Sequence, residues 1–409
     1  MSLINMEFVR NSFPGLKNGT VFLDNAGGSQ VAQQSIDHII SFLSGESVQL
    51  GASYAASQNA GAAVSDGRAA LATLMNAAHP EEIVMGATAT QLLDQLARGL
   101  VQGWKEGDEV IVTNFDHEAN IGPWRQLEAR GITIREWKMP TGSDLPDLDD
   151  LRALLSDRTR LLAVTHTSNI FGTIMPIRDI ADIAHEAGAR LCVDGVAYAP
   201  HRAIDVQALD VDYYVFSAYK VYGPHHAALY GRYNLLRDDA KNINHYFYGE
   251  DRVPNKLEPG NPNYELAAGC RGIVAYLEEF AAEHGVNATG RAAVESAFDV
   301  MADHEAVLAE RLLSYLRSRE DITILGQQGS DRAARVPTIS FIVNGKSSEA
   351  LVRKVDPSGI GIRFGDFHSK RLVESMNLSS GDGVIRASAV HYNTVEEIDR
   401  LIDQLERQR

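Results

Sequence analysis

A lysine at the end of an apolar run is the first residue of this sequence that could do chemistry. Lys220 stands between VDYYVFSA (211–218), which has the pattern of a buried strand, and a Gly-Pro turn at 223–224. Burial disfavours the ammonium and lowers its pKa, and the neutral amine can then form a Schiff base with an aldehyde. The alternative is a structural lysine whose stem runs out of the sheet and leaves its charge in water.

Other reactive side chains follow predicted strands in the same way. Thr88, His117, Asn169 and Asp194 each come where a strand gives way to a loop. Parallel strands bring their carboxyl ends to one edge of a sheet, so we expect these side chains to share one site with Lys220. For Asp194 alone, a helix cap or a buried ion pair is an equal alternative.

The segment GATAT (86–90) adds an anion site. A strand ends there in small residues and a helix begins, so free backbone N–H groups and the hydroxyls of Thr88 and Thr90 can hold a phosphate. Two other phosphate patterns fail. NGKSS (344–348) lacks the first P-loop glycine, because Ser340 occupies its place, and no GxGxxG follows an early strand.

Together these groups predict catalysis with pyridoxal 5'-phosphate. The lysine amine bonds the aldehyde, and the anion site holds the phosphate. The carboxylate keeps the pyridine nitrogen protonated, so that the ring can accept electrons from the substrate's α-carbon. A histidine ring can stack on the pyridine and relay protons.

The elements that must position these groups alternate between β-rich runs and helical patterns from about 20 to 285. This alternation predicts βαβ units and a mostly parallel sheet covered by helices. The predicted strands are 81–88, 108–115, 132–139, 160–168, 189–196, 211–218 and 226–232. Residues 233–263 show no periodicity and are predicted to be a long loop, followed by helical segments over 264–318 and a small α+β unit beginning near 288.

Composition limits the partners. The chain has 409 residues, 44% of them hydrophobic, and a net charge of −16, which disfavours nucleic acid and anionic membranes. No run is long and apolar enough for a membrane helix, and no secretion signal is evident, so we expect a cytoplasmic protein. Its two cysteines, Cys192 and Cys270, have no metal-site spacing and are expected to be buried packing residues; we expect no metal.

These motifs resemble the class V aminotransferase group of fold-type I pyridoxal phosphate enzymes, nearest to cysteine desulfurases. The resemblance runs from VFLDNAGG (21–28) to VIRASAVHYNTVEEIDRL (384–401), and DHEANIGPW, HTSNIFGTIMPI, LCVDGVA and FSAYKVYGP are its most specific pieces. It implies an aspartate aminotransferase-like fold, with a large domain built on a seven-stranded sheet and a small C-terminal α+β domain. The implied bounds are 1–20 for an N-terminal segment packing with the small domain, 21–287 for the large domain and 288–409 for the small one.

The resemblance also implies roles for single residues. Lys220 would hold the cofactor, Asp194 would pair with the pyridine nitrogen, and His117 would stack on the ring. The remaining cofactor contacts would be Ala87, Thr88, Ala89, Asn169, Ser217, Tyr219 and, from a neighbouring subunit, Asn261. The substrate contacts would be Arg386 for the α-carboxylate, Arg363, Ala26 and Asn169.

Several positions depart from the desulfurase pattern. Tyr219 replaces the usual histidine before the lysine, Ala197 replaces a glutamine, and Asn261 replaces a threonine. Desulfurases carry a nucleophilic cysteine on the loop corresponding to GIGIRFGDFHSKRL (359–372), which here has none. His368 falls near that place and is a candidate catalytic residue, and sulfur relay through an enzyme persulfide is not expected.

We therefore expect a lyase that acts by β-elimination, with cleavage of a C–S bond as one option. The alternative is an aminotransferase, and a remote alternative is a scaffold that binds the cofactor without catalysis. The loop at 245–263 and the resemblance predict a homodimer with shared active sites. The substrate side chain stays open, because loops at 51–58, 245–263 and 364–370 would shape its pocket.

Overall fold

The computed structural model describes residues 4–45, 47–378 and 382–408. A short strand, β1 (Val21–Phe22), precedes a seven-stranded sheet, which confirms the predicted fold class. Each strand of this sheet lies within a predicted run, except that β5 begins one residue before it: β2 (Ile83–Gly86), β3 (Glu109–Thr113), β4 (Thr133–Trp137), β5 (Thr159–Thr165), β6 (Arg190–Asp194), β7 (Tyr213–Ser217) and β8 (Ala227–Gly231). Their order is β2-β8-β7-β6-β5-β3-β4, and β8 is antiparallel to both neighbours while the other neighbouring strands are parallel.

Helices cover both faces of this sheet. They are α1 (Met6–Asn11), α2 (Gln33–Gly45), α3 (Ala55–Met75), α4 (Ala89–Leu100), α5 (Gly122–Arg125), α6 (Leu148–Leu154), α7 (Ile177–Glu186), α8 (Tyr233–Asp238), α9 (Tyr264–Gly269) and α10 (Arg271–Glu283). Side chains of one strand alternate between two apolar clusters. Val110 and Val112 belong to the cluster that includes Leu92 of α4, whereas Ile111 belongs to the one that includes Ile180 of α7. Each such buried side chain stabilises the fold by about 1.5–3 kcal/mol.

Two helical regions differ from the sequence predictions. The chain from 233 to 238 forms α8 rather than loop, because Leu235 and Leu236 are buried against the large sheet. Residues 55–58, expected in a pocket loop, form the first turn of α3. This helix is rich in small residues, and a side chain at Gly67 would collide with the Ala267 carbonyl of α9, so the missing Cβ allows the close contact.

A second sheet follows the long helix α11 (Gly290–Arg317). Its strands pair antiparallel in the order 363–365, 384–388, 338–343 and 322–325, and the short strand 360–361 pairs instead with β1. The elements of this region are β9 (Ile322–Leu325), β10 (Thr338–Val343), α12 (Ser348–Val355), β11 (Ile360–Gly361), β12 (Arg363–Gly365), α13 (Lys370–Ser375), β13 (Val384–Ser388) and α14 (Val395–Glu406). Strand β10 begins only after Pro337, because a proline cannot donate to a sheet ladder.

Helix α11 enters two apolar cores. Phe298 belongs to the large-sheet core, while Leu308 and Leu312, farther along the helix, belong to the core of the second sheet. The N-terminal segment contacts the C-terminal region through Arg10, which donates to the Tyr392 carbonyl at 3.1 Å. The predicted domain bounds at 20 and 287 stay predictions.

Within the described residues, no helix is long and apolar enough to cross a bilayer.

Candidate active site

A cavity of about 190 Å³ lies at the carboxyl edge of the large sheet. It brings together most of the predicted cofactor-binding residues, as expected for parallel strands that end at one edge. Its lining is Thr88, Ala89, Thr90, His117, Ala119, Thr165, Thr167, Asn169, Asp194, Val196, Ala197, Ser217, Tyr219 and Lys220. Sequence reasoning missed Ala119, Thr165, Thr167 and Val196. Thr165 lies in a predicted strand, and the other three lie within motifs that it had singled out.

Lys220 is buried in the wall of this cavity. It lies in a short 3₁₀ turn after β7, and its Nζ donates to the Ala26 carbonyl at 2.5 Å. Burial lowers the pKa of Lys220 to about 8, helped by the positive charge of Arg386 and opposed by Asp194. The neutral amine, the form that a nucleophile needs, is therefore far more populated at pH 7 than in an exposed lysine, although the charged form still predominates.

Asp194 ends β6 beside the same cavity. Its Oδ1 accepts from the Val196 N–H at 2.9 Å, so the turn after the strand orients the carboxylate. Burial raises the pKa of Asp194 to about 6, while the Val196 hydrogen bond and Lys220 oppose the rise. At neutral pH the Asp194 carboxylate is mainly ionised. It can therefore keep a proton on a nitrogen of an aromatic ring, such as a pyridine, bound next to it.

A second buried carboxylate, Asp116, was missed by sequence reasoning. Its oxygens accept from the Thr165 N–H at 2.8 Å and from the Asn120 amide at 2.7 Å. Burial, followed by the charge of Asp194, raises the pKa of Asp116 to about 8. Asp116 is thus largely protonated at pH 7, which leaves the negative charge of the pair on Asp194. Its place directly before His117 was the available signal.

The His117 ring is neutral near pH 7. Its Nδ1 accepts from the Ala119 N–H at 3.0 Å, so Nε2 carries the single proton of the neutral ring. Burial lowers the pKa of His117 to about 3, and the nearby charge of Lys220 adds to this. The ring centroid lies 5.2 Å from that of His368, with the two rings tilted by 58°. The pair can relay a proton only through Nε2 of His117.

The amino end of α4 forms the other side of the cavity. Thr88 caps the helix by accepting from the Gln91 N–H at 3.1 Å, and its hydroxyl hydrogen stays available. Ser217 and Tyr219 line the same cavity, while Ala87 is exposed next to it and does not line it. Tyr219 stacks on the His225 ring at 4.6 Å, which fixes the plane of the phenol. A helix amino end with hydroxyl donors is suited to a phosphate.

Arg386 lies in the middle of β13, buried beside Asn169. Its guanidinium donates to the Asp24 carboxylate at 3.1 Å and to the Asn169 carbonyl at 3.2 Å. Burial lowers the pKa of Arg386 to about 10, which leaves it charged at neutral pH. Arg363 is exposed on the neighbouring strand, and Ala26 reaches the site through its carbonyl bond to Lys220.

Residues 365–369, the cover segment, contact two residues of this site, Asn169 and His117. Asn169 fastens the segment: its amide donates to the Phe367 carbonyl at 3.0 Å and accepts from the Ser369 hydroxyl at 2.7 Å. Phe367 and His368 both have left-handed backbone angles, with φ of 52° and 60°. Non-glycine residues in this region often mark functional sites. The His368 side chain is exposed above His117.

Asn261 does not lie in this cavity. It lines a separate one with Leu50 and Tyr264. Its predicted contact with the site of a neighbouring subunit stays a prediction.

The two cysteines are buried, and burial raises the pKa of Cys270 to about 12 and that of Cys192 well above its usual range. Neither thiol is suited to act as a nucleophile.

Comparisons with known proteins agree with this geometry. The aminotransferase class-V family model matches residues 21–401. An aminotransferase-like protein of Gibberella zeae is 44% identical over 99% of this chain and 98% of its own. A cysteine desulfurase-like protein of Aspergillus flavus is 35% identical, over 99% and 91%. The structure of a cysteine desulfurase from Thermococcus onnurineus superimposes with a TM-score of 0.87 at 23% identity, over 98% and 97%, which shows the fold alone.

Proposed function

Because this chain belongs to the class V aminotransferase family of pyridoxal 5'-phosphate enzymes, we propose that it is a lyase acting on an amino acid. The reaction would break a bond from the β-carbon to a leaving group, with a C–S bond as one option. The observation that carries the proposal is a pair of groups in one cavity wall, a Lys220 amine whose pKa burial lowers to about 8 and a His117 ring that is neutral at pH 7. The neutral form of the amine can take a proton, and the neutral ring can donate a hydrogen bond.

The residues of the cavity fit the cofactor. Lys220 would bind its aldehyde, Asp194 its ring nitrogen, and the amino end of α4 with Ser217 its phosphate. When bound, pyridoxal phosphate supplies an electron-accepting ring conjugated with the substrate's α-carbon. The inward-facing lysine and the raised pKa of the buried Asp194 are features that a purely structural cluster would not need.

The side chains then have separate tasks. Arg386 would bind the α-carboxylate, and the Lys220 amine would accept the proton from the α-carbon. Asp194 would keep a proton at the ring nitrogen. His117 would donate a hydrogen bond from Nε2 to the leaving group, and the His368 ring lies 5.2 Å from the His117 ring. The cover segment would exclude water from the reacting atoms.

Two features keep sulfur relay through the protein out of this proposal. Both cysteines are buried, and burial raises the pKa of each thiol. By resemblance, His368 falls near the place where desulfurases carry their cysteine. Any sulfur that leaves the β-carbon would therefore leave as a small molecule at the oxidation state it has in the substrate.

An aminotransferase is the second candidate. The relative from Gibberella zeae, named aminotransferase-like, is 44% identical along almost the whole chain, which favours this reading. In that reaction Lys220 would move a proton from the α-carbon to the cofactor. The bond from the β-carbon would stay intact, and no group would be eliminated. A cofactor-binding scaffold is the remote third candidate, and a buried lysine beside a buried arginine argues against it.

A panel of amino acids would separate these candidates. The purified holoenzyme is mixed with alanine, cysteine, cystine and cysteine sulfoxides while its absorption spectrum and products are followed. Pyruvate and ammonia support the lyase when the matching sulfur product appears with them: sulfide from cysteine, cysteine persulfide from cystine or a sulfenic acid from a cysteine sulfoxide. An oxo acid that retains the substrate side chain, formed with the amino form of the cofactor, means an aminotransferase. A colourless protein that does not change with added cofactor means a scaffold.

We also propose a cytoplasmic homodimer in which Asn261 reaches the site of the second subunit. Tyr246 and Phe247, in the same connection as Asn261, are among the most exposed large apolar side chains of the described residues. Such exposure is typical of a surface that a partner covers. Light scattering of the holoenzyme at working concentration should give twice the mass of one chain, and a mass of one chain contradicts the proposal.

A further inference from the structure

Two arginines face each other across neighbouring strands beside the active site. Arg363 of β12 and Arg386 of β13 are direct partners in the antiparallel register. Like charges in this position are destabilising unless an anion lies between them. The Asp24 carboxylate supplies that anion: its Oδ1 lies 3.1 Å from Arg386 and its Oδ2 lies 3.7 Å from Arg363.

The two arginines differ in their surroundings. The Arg386 side chain is 3% exposed, whereas 59% of the Arg363 side chain is exposed. The guanidinium carbon of Arg386 lies 3.8 Å from the centroid of the Phe367 ring, so the cover segment closes one of its faces. Its Nε is buried without a hydrogen-bond partner among the described residues. Arg386 thus keeps a donor unused although a carboxylate already contacts it.

Asp24 is held less firmly than Arg386. The Asp24 side chain is 32% exposed, and each of its two oxygens pairs with one of the two guanidinium groups. A Cβ at Gly27 would lie 3.1 Å from Oδ2, so the glycine allows the carboxylate to pack this close to the backbone. Because the carboxylate is partly open to solvent and already contacts both guanidinium groups, a small rotation of its side chain can move it from the buried arginine toward the exposed one.

We propose that Asp24 is an internal occupant of a two-arginine carboxylate site and competes with the ligand carboxylate for Arg386. An incoming carboxylate takes the Arg386 guanidinium, including its free Nε, and Asp24 turns to Arg363, which keeps it paired. This inference rests on the proposed function in taking Arg386 as the α-carboxylate site. It adds that binding must overcome an internal competitor, and that Arg363 acts on the ligand through Asp24.

Propionate tests the competition because it carries a carboxylate and no amino group. It is titrated into the holoenzyme by calorimetry, and the shift of the thermal unfolding midpoint is measured in parallel. Removing the competing charge in Asp24→Asn should tighten propionate binding about tenfold. Asp37→Asn, the same change on the exposed surface of α2, should leave binding unchanged. Unchanged or weaker binding by a folded Asp24→Asn protein overturns the proposal.

A double-mutant cycle tests the part played by Arg363. Arg363→Gln should weaken propionate binding about threefold in the wild-type background and should have almost no effect in Asp24→Asn. Equal effects in both backgrounds would mean that Arg363 attracts the ligand directly, and would overturn that part. The outcome is separate from the proposed function. If no amino acid reacts but Asp24→Asn binds propionate more tightly, the lyase proposal fails while the competition stands.

Discussion

The carboxyl edge of the large sheet and the cover segment hold their reactive side chains in different ways. Asp194 and Lys220 follow buried strands at this edge, and each makes a hydrogen bond that fixes its direction. His368 is exposed on a short irregular segment that Asn169 fastens through two side-chain bonds. Groups on the sheet have perturbed pKa values, so we expect chemistry from the sheet edge and substrate retention from the cover segment.

The strongest test of this division is Lys220→Ala. Losing the amine should abolish the visible absorbance band of the bound cofactor and lower turnover by at least about 10³-fold, while the circular dichroism spectrum stays unchanged. Lys370→Ala, at an exposed lysine just after the cover segment, should keep both the band and the activity. An unchanged band in Lys220→Ala would assign the cofactor to another lysine.

The next largest effect is expected from Asp194→Asn. The amide cannot hold a proton on the ring nitrogen, so turnover should fall about 10²- to 10⁴-fold. Because the carboxylate exists mainly above its pKa of about 6, wild-type activity should decline below that pH. The variant should lose this acid limb of the pH profile. A variant that keeps the limb would assign it to another group.

Asp116→Asn is the matched comparison for Asp194. Asp116 is already neutral near pH 7, so its replacement should change turnover far less. The variant should lose about 1–3 kcal/mol of stability. Its amide oxygen can accept only one of the two hydrogen bonds from Thr165 and Asn120, and its amide nitrogen cannot accept the other. Chemical denaturation would measure this loss. Equal activity losses in the two variants would contradict the assignment of the charge to Asp194.

Asn169→Ala tests the cover segment. Removing both side-chain bonds should release the segment, raise KM about tenfold and change kcat less. Ser369→Ala removes only one of these bonds and should raise KM by a smaller factor. Steady-state kinetics on the best substrate of the amino acid panel would show the split. A fall in kcat with KM unchanged would mean that Asn169 acts in the chemical step.

The smallest effect is expected from His368→Ala. Its ring is exposed and approaches the His117 ring at 5.2 Å, so turnover should change less than about threefold. His117→Ala, measured beside it, should lose much more, since that neutral ring is buried in the cavity wall. A loss near 100-fold in His368→Ala would give the cover segment a catalytic role and end the division between the two regions.

The sequence alone determined the positions of the strands and the identity of the central residues. Hydrophobic periodicity located the seven strands, and parallel strands must bring Asp194, His117 and Lys220 to one edge. The cofactor followed from the chemistry of those residue types. These inferences succeed because strand patterns and strand-end positions are local features of the chain.

Only the tertiary structure decided how the charges are distributed and what contacts Arg386. Asp116 becomes protonated because two strand ends bury it next to Asp194, and Asp24 reaches Arg386 across more than 300 positions of sequence. The sequence did not suggest Phe367 as the cover of that arginine. Burial and distances between remote segments set pKa values and ion pairs, and they exist only once the chain has folded.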